Sequence, residues 1–125
     1  MDWRVQLILT LLEEDLRRTP SADELATKLH LSNSRLTHLF KAEVGCSLTQ
    51  YLRDLRLRKA RMLLETTFLS IKETMMAVGM TDASRFVRDF KKVSGHTPTE
   101  YRKLNLQKDQ MKQHLQTARA KSTNE

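Results

Sequence analysis

Two groups of side chains stand at a spacing that places each group on one side of a helix. Ser34, Thr37, His38 and Lys41 form the first; Ser84, Val87, Arg88 and Lys91 form the second. Each set steps through i, i+3, i+4 and i+7, which is a single helical face. Their chemistry is recognition through hydrogen bonds and charge. A guanidinium such as that of Arg88 can bond both O6 and N7 of guanine, a contact worth about 1–3 kcal/mol of discrimination between bases. Arg85 has the same fork and suits a base or a phosphate. Val87, apolar on an otherwise polar face, suits a thymine methyl group. Lys41 and Lys91 lie further along, where phosphate is the better match. For each residue the plain alternative is a solvated surface side chain.

Residues for bond-making chemistry are scattered. The four histidines, His30, His38, His96 and His114, fall on different predicted helices or in turns, without a ligand spacing. No Gly-rich phosphate loop is present. Cys46 precedes a predicted helix, where the dipole can lower a thiol pKa, but a structural role as a small residue is the better reading. The methionines, including Met75, Met76 and Met80, read as core filler. No catalytic residue, cofactor or metal is expected.

Both recognition faces sit inside a longer repeat. FKAEVGCSLTQY begins at Phe40 and FKKVSGHTPTEY at Phe90. Phe, Lys, Gly, Thr and Tyr coincide at an offset of fifty. Ser34, Arg35 and Leu36 match Ser84, Arg85 and Phe86 at the same offset. Upstream the offset becomes 49, so that Leu29 and Leu31 match Val78 and Met80. A one-residue slip belongs in a turn. Each unit therefore reads as a short helix, a tight turn, a second helix ending near a Gly, and a capped third helix. Two short helices joined by a three- to four-residue turn make a helix-turn-helix. Ala26 and Met75 are placed where the two helices cross. Gly79 supplies a backbone conformation that side chains resist, and His30 holds the equivalent place in the first unit.

Helix caps give the frame. Capping boxes appear at Ser21–Glu24, Ser47–Gln50, Ser70–Glu73 and Thr97–Glu100, and Ser32 and Asp82 serve as simple N-caps. Pro98 sits at a first helical position. The chain shows no period-two alternation. Seven helices follow, over about 2–18, 22–29, 33–44, 48–65, 71–78, 83–93 and 98–106, in an all-α, homeodomain-like tandem. The first stripe is Val5, Ile8, Leu9, Leu12 and Leu16, and Leu36 and Phe40, like Phe86 and Phe90, face inward. The fourth helix is apolar on two sides. Leu48, Leu52, Leu55 and Met62 suit one unit; Leu57, Ala60 and Leu64 suit the other. At about 18 residues it spans roughly 27 Å and could hold the reading helices about one DNA turn, roughly 34 Å, apart. The division is 1–46 for the first unit, 47–66 for the linking helix, 67–106 for the second, and a polar tail over 107–125. A thin stripe of Leu104, Met111, Leu115 and Ala118 offers a frayed helical extension, but the composition favours a flexible, disordered segment.

The chain has 125 residues and a net charge of +7. Residues 32–104 hold 14 Lys/Arg against 7 Asp/Glu, which is the whole of that excess. The charge therefore coincides with the repeat, as an anionic partner would require. A single Cys fits a reducing compartment, and the apolar run 5–12 stops far short of a membrane span. The expected location is cytoplasmic, with no membrane partner.

The two-fold F-K-x-x-x-G-x-[ST]-x-x-x-Y pattern, the intervening LRLRKARMLLE and the GMTDASRFVRDFKKVSGHTPTEYR ending resemble the AraC/XylS family of bacterial transcription regulators, over about residues 5–104. The resemblance implies two helix-turn-helix subdomains joined by a long helix, binding double-stranded DNA in two successive major grooves, mostly to activate transcription and often by touching RNA polymerase. It places base contacts on Ser34, Thr37 and His38, then on Ala83, Ser84, Arg85, Val87 and Arg88. The first set is short-armed, which favours phosphate holding or DNA shape over base readout. Lys41, Lys91, Lys92, Arg53 and Arg56 are the phosphate candidates. Most members carry a further sensory or dimerisation domain. The helices use up this chain, so it reads as a stand-alone regulator or the output domain of a longer protein, monomeric by itself and dimeric through a missing domain. The rival class is a helical adapter of the transcription machinery that reads no DNA.

Overall fold

A short polar residue precedes almost every helix and accepts a hydrogen bond from its first turn. In the computed structural model, which describes residues 1–123, Asp2, Ser21, Ser32, Ser47, Ser70 and Asp82 cap six of the helices. Those helices are α1 (Trp3–Glu14), α2 (Ala22–Lys28), α3 (Asn33–Val44), α4 (Leu48–Thr66), α5 (Ile71–Ala77) and α6 (Ala83–Ser94); α7 (Pro98–Thr123) completes the set. Among the described residues there is no strand. The cap geometry divides the four predicted boxes. Ser70 with Glu73 and Thr97 with Glu100 bond in both directions. Ser21 and Ser47 accept from the third residue of their helices, without a return bond from Glu24 or Gln50.

Two helix ends depart from expectation. α1 stops at Glu14 rather than near 18. Glu13, Glu14 and Asp15 put three carboxylates at the negative end of the helix dipole. Asp15 turns extended, and its side chain accepts from the Arg17 N–H. Leu16 thus leaves the helical stripe. At the other end α7 does not stop near 106, and the expected disordered tail is helical as far as the structure describes it. After Pro98 no Gly or Pro interrupts, and Leu, Gln, Lys, Met, Arg and Ala favour helix. Residues 124 and 125 of that tail lie outside the described residues.

Apolar side chains gather into two cores, one per unit. The first contains Val5, Ile8, Leu12, Leu25, Ala26, Leu36 and Phe40; the second contains Met75, Val78, Phe86 and Phe90. Helix α4 feeds both. Leu48, Tyr51, Leu52 and Leu55 pack on the first core, while Leu57, Ala60 and Leu64 are buried in the second. Met62, expected with the first set, is 42% exposed instead.

Identical contacts recur in each unit. Phe40 meets Tyr51 edge-on at 5.6 Å between ring centroids, and Phe90 meets Tyr101 in the same way at 5.5 Å. This edge-to-face geometry contributes beyond area burial and explains why Phe and Tyr repeat together. The Tyr101 hydroxyl donates to Glu65, and Arg61 lies over its ring at 5.5 Å. Both units also close their short helix alike. Leu31 and His30 N–H bond the carbonyls of Ala26 and Thr27; Met80 and Gly79 N–H bond those of Met75 and Met76. This is a Schellman closure, whose turn residue must be left-handed. His30 has φ 57° and Gly79 φ 83°, so His30 carries the strain the register predicts for it.

Candidate nucleic-acid interface

Helices α3 and α6 each bury one side and expose the other. Leu36 and Phe40 anchor α3; Phe86 and Phe90 anchor α6. The predicted faces are outward. Ser34, Thr37, His38 and Lys41 are exposed on α3, and Ala83, Ser84, Arg85, Val87, Arg88, Lys91 and Lys92 on α6. The structure therefore gathers each predicted set onto one accessible surface.

The two faces differ in how free they are. On α3, Thr37 donates back to the Asn33 carbonyl at 2.8 Å, and His38 Nδ1 lies 3.0 Å from the Ser34 carbonyl. Both polar tips are turned onto their own helix, which fits the short reach of this set. Asn33, which the sequence did not single out, donates to Asp23 and ties α3 to α2. On α6, the side chains of Arg88, Lys91 and Lys92 make no hydrogen bond or ion pair among the described residues, so their cationic ends are available. Val87 is 37% exposed, enough to touch a methyl group.

Two linker arginines part company. Arg56, expected on phosphate, is turned inward. Its Nε and Nη2 donate to the Leu16 carbonyl at 3.2 and 3.0 Å, and Nη2 also reaches Thr19 Oγ1 at 3.3 Å. Burial pulls its pKa below the ordinary arginine value, yet the group stays cationic. Arg56 is a structural tie between α4 and the α1–α2 connection, because an orphaned loop carbonyl there needs a donor. Arg53 stays nearer the surface. Its Nε is 3.9 Å from Asp89 Oδ2, and Arg85 Nε approaches the same oxygen at 3.7 Å. Asp89 is a further residue that sequence reasoning missed. Arg53, Arg56 and Arg85 border a cleft between the two units, lined also by Leu52, Met80 and Asp82.

No three His, Cys, Asp or Glu among the described residues come together as a metal site would need. Among the described residues no helix is long and apolar enough to cross a membrane.

A family model described as a helix-turn-helix domain matches residues 25–104. A transcriptional regulator structure from Chromobacterium violaceum, titled as AraC-type DNA-binding, superposes with a TM-score of 0.75 at 28% identity, covering 82% of this chain and 91% of that one. The chain belongs to the AraC/XylS family. The arabinose operon regulatory protein of Escherichia coli is 40% identical over 78 residues, 62% of this chain but 27% of that protein. The C-terminal domain of the response regulator yesN from Fusobacterium nucleatum is 35% identical with a TM-score of 0.71, covering 81% of this chain and 99% of that one. The chain thus spans about a quarter of the arabinose regulator and nearly all of the yesN C-terminal domain. The AraC/XylS proteins are DNA-binding transcription regulators rather than enzymes.

Proposed function

We propose that this chain binds double-stranded DNA sequence-specifically, with α3 and α6 entering successive major grooves on one side of the duplex. One observation carries the reading. The second unit presents Ser84, Val87, Arg88 and Lys91 on one exposed face of a helix whose opposite face is fixed by Phe86 and Phe90. A rigid helix with a free guanidinium meets the geometric need of base readout. α6 reads bases; α3, whose exposed Thr37 and His38 have their polar tips bonded back to their own helix, positions the protein chiefly through phosphate and DNA shape. Lys41, Lys91 and Lys92 bind phosphate. The regulator acts in the cytoplasm as an activator that touches RNA polymerase, and this chain binds as a monomer.

A salt titration tests the reading. Affinity for duplex DNA falls log-linearly with salt, and a site enriched by in-vitro selection binds more tightly than random sequence. An adapter that reads no DNA would bind neither duplex at low salt.

A further inference from the structure

Asp89 occupies a position that its sister unit fills with a hydrophobic residue. Fifty residues earlier stands Leu39, half-buried and packed against the first core. The two positions match in burial as well as in register. An aspartate there gives up apolar packing and must shed water from a charged carboxylate. Packing therefore does not explain it, but its neighbours do. Asp89 Oδ2 is buried and makes no hydrogen bond, while guanidinium nitrogens from two different helices stand 3.9 and 3.7 Å away. Those are ion-pair distances, longer than the roughly 2.7–2.9 Å of a charge-assisted hydrogen bond. The attraction holds both cations without saturating them. Arg53 and Arg85 keep 37% and 54% of their side-chain surface exposed.

We propose that Asp89 is a specificity-determining positioning residue, an internal anion that holds Arg53 and Arg85 in place of a DNA phosphate. The inference rests on the DNA-binding reading above. Arg85 lies about 60° around the helix axis from Arg88. When α6 sits in a groove, Arg85 is at the groove's edge, where the backbone runs. A phosphate offers both guanidinium groups shorter bonds than Asp89 does, so exchange is favourable once the backbone is held in place. Random DNA is bound almost wholly through phosphate contacts. Occupying two arginines on an internal carboxylate removes contacts from those encounters. At a matched site the base contacts of α6 fix the backbone beside Arg85, and the exchange occurs. Asp89 therefore weakens random binding more than matched binding. The first unit serves as an internal comparison, since Arg35 has Leu39 and no acid at the equivalent place.

The test uses the full chain with Asp89→Asn and Asp89→Leu, the latter copying the sister unit. Two duplexes of about 30 base pairs, enough for two successive grooves, are compared across a salt series. One has random sequence; the other is recovered by selection with the unaltered chain. Both variants bind the random duplex several-fold more tightly at low salt. Their log–log salt slope steepens by about one to two, at roughly 0.9 per added phosphate contact. The selected-to-random ratio falls. Asp89→Glu retains the original slope, and adding Arg53→Gln and Arg85→Gln to Asp89→Asn removes the gain. A variant that melts cooperatively but keeps the original slope and ratio overturns the inference, as does an equal loss on both duplexes. Should both variants fail to fold, Arg53→Gln and Arg85→Gln in the unaltered chain decide it. They lower affinity for the selected duplex and spare the random one; equal loss on both overturns the inference. If the unaltered chain binds neither duplex at low salt, the DNA-binding reading fails, and the inference with it.

Discussion

Gly79 of the second unit rests against the Leu16 carbonyl of the first: a β-carbon at position 79 would stand 2.2 Å from that oxygen. The backbone there is also left-handed, with φ 83°. Two separate reasons thus require glycine at one position. Gly95 shares the left-handed φ, but a β-carbon there would meet open space. The left-handed cost for alanine is roughly 1–2 kcal/mol. Gly95→Ala should lose about that much. Gly79→Ala should lose distinctly more, about 2–4 kcal/mol, because backbone must also move. Urea melts of the two variants give the comparison, and equal losses would show that the approach of the units is elastic.

The same Leu16 carbonyl takes two hydrogen bonds from Arg56. Replacing Arg56 by Met keeps the aliphatic stem and leaves a half-buried acceptor unpaired. The expected cost is about 1–3 kcal/mol. A residue that binds phosphate would instead leave stability alone and make the salt slope shallower by about one. Thermal melts and a salt titration of Arg56→Met separate the two roles, and the structure calls for lost stability with an unchanged slope.

Arg88 and Lys91 share a face but should fail differently. Arg88→Ala is expected to cost about 1–3 kcal/mol on the selected site and to relax one base position. Lys91→Ala should weaken selected and random duplexes alike, with a salt slope smaller by about one. Competition binding against a panel of single-base variants reads both. A uniform loss for Arg88→Ala across the panel would reassign it to phosphate.

Glu73 gives a pH dependence with a definite sign. Its carboxylate accepts the Ser70 N–H at 3.0 Å, and that bond pulls its pKa below the ordinary 4.5. A carboxyl whose pKa is depressed by folding contributes stability that is complete above its unfolded value and is lost as pH falls through the folded one. Glu73→Ala should therefore be less stable than the unaltered chain near neutrality. The gap should close in acid, below about pH 4.5. Urea melts from about pH 7 to about pH 3 follow it, and a gap that stays constant would place the loss in helix propensity instead.

The scaffold was legible because its signals are local and occur twice. Phe40 with Tyr51, and the Ser and Asp caps, announce themselves within a dozen residues. The strain at His30 was readable only because Gly79 holds its place in the other copy. Arg56 and Asp89 were not legible in this way. Arg56 meets Leu16 forty positions away, and nothing near it in sequence says whether a guanidinium turns inward or out. Asp89 looks like an ordinary polar residue until Arg53 arrives from another helix. The end of α1 is hidden by an apolar stripe that continues to Leu16, whereas three carboxylates oppose the dipole before it. α7 runs past 106 although its polar composition resembles a tail, because its residues through Thr123 tolerate helix.

That last helix yields a prediction about independence. Tyr101 packs on Phe90 and bonds Glu65, so the first turns of α7 belong to the second unit. From Leu106 to Ala120 every residue is exposed, Met111 and Leu115 included. So exposed a helical stretch is marginal in water. Its melting should be gradual and should not contribute to the cooperative transition. A chain ending at Leu106 is expected to keep its midpoint and its duplex affinity, with stability changed by less than about 0.5 kcal/mol. Circular dichroism should register the loss of about five turns of helix. A drop in the cooperative midpoint would mean that the distal helix braces the second unit, and a loss of duplex affinity with the midpoint intact would place its lysines on the DNA.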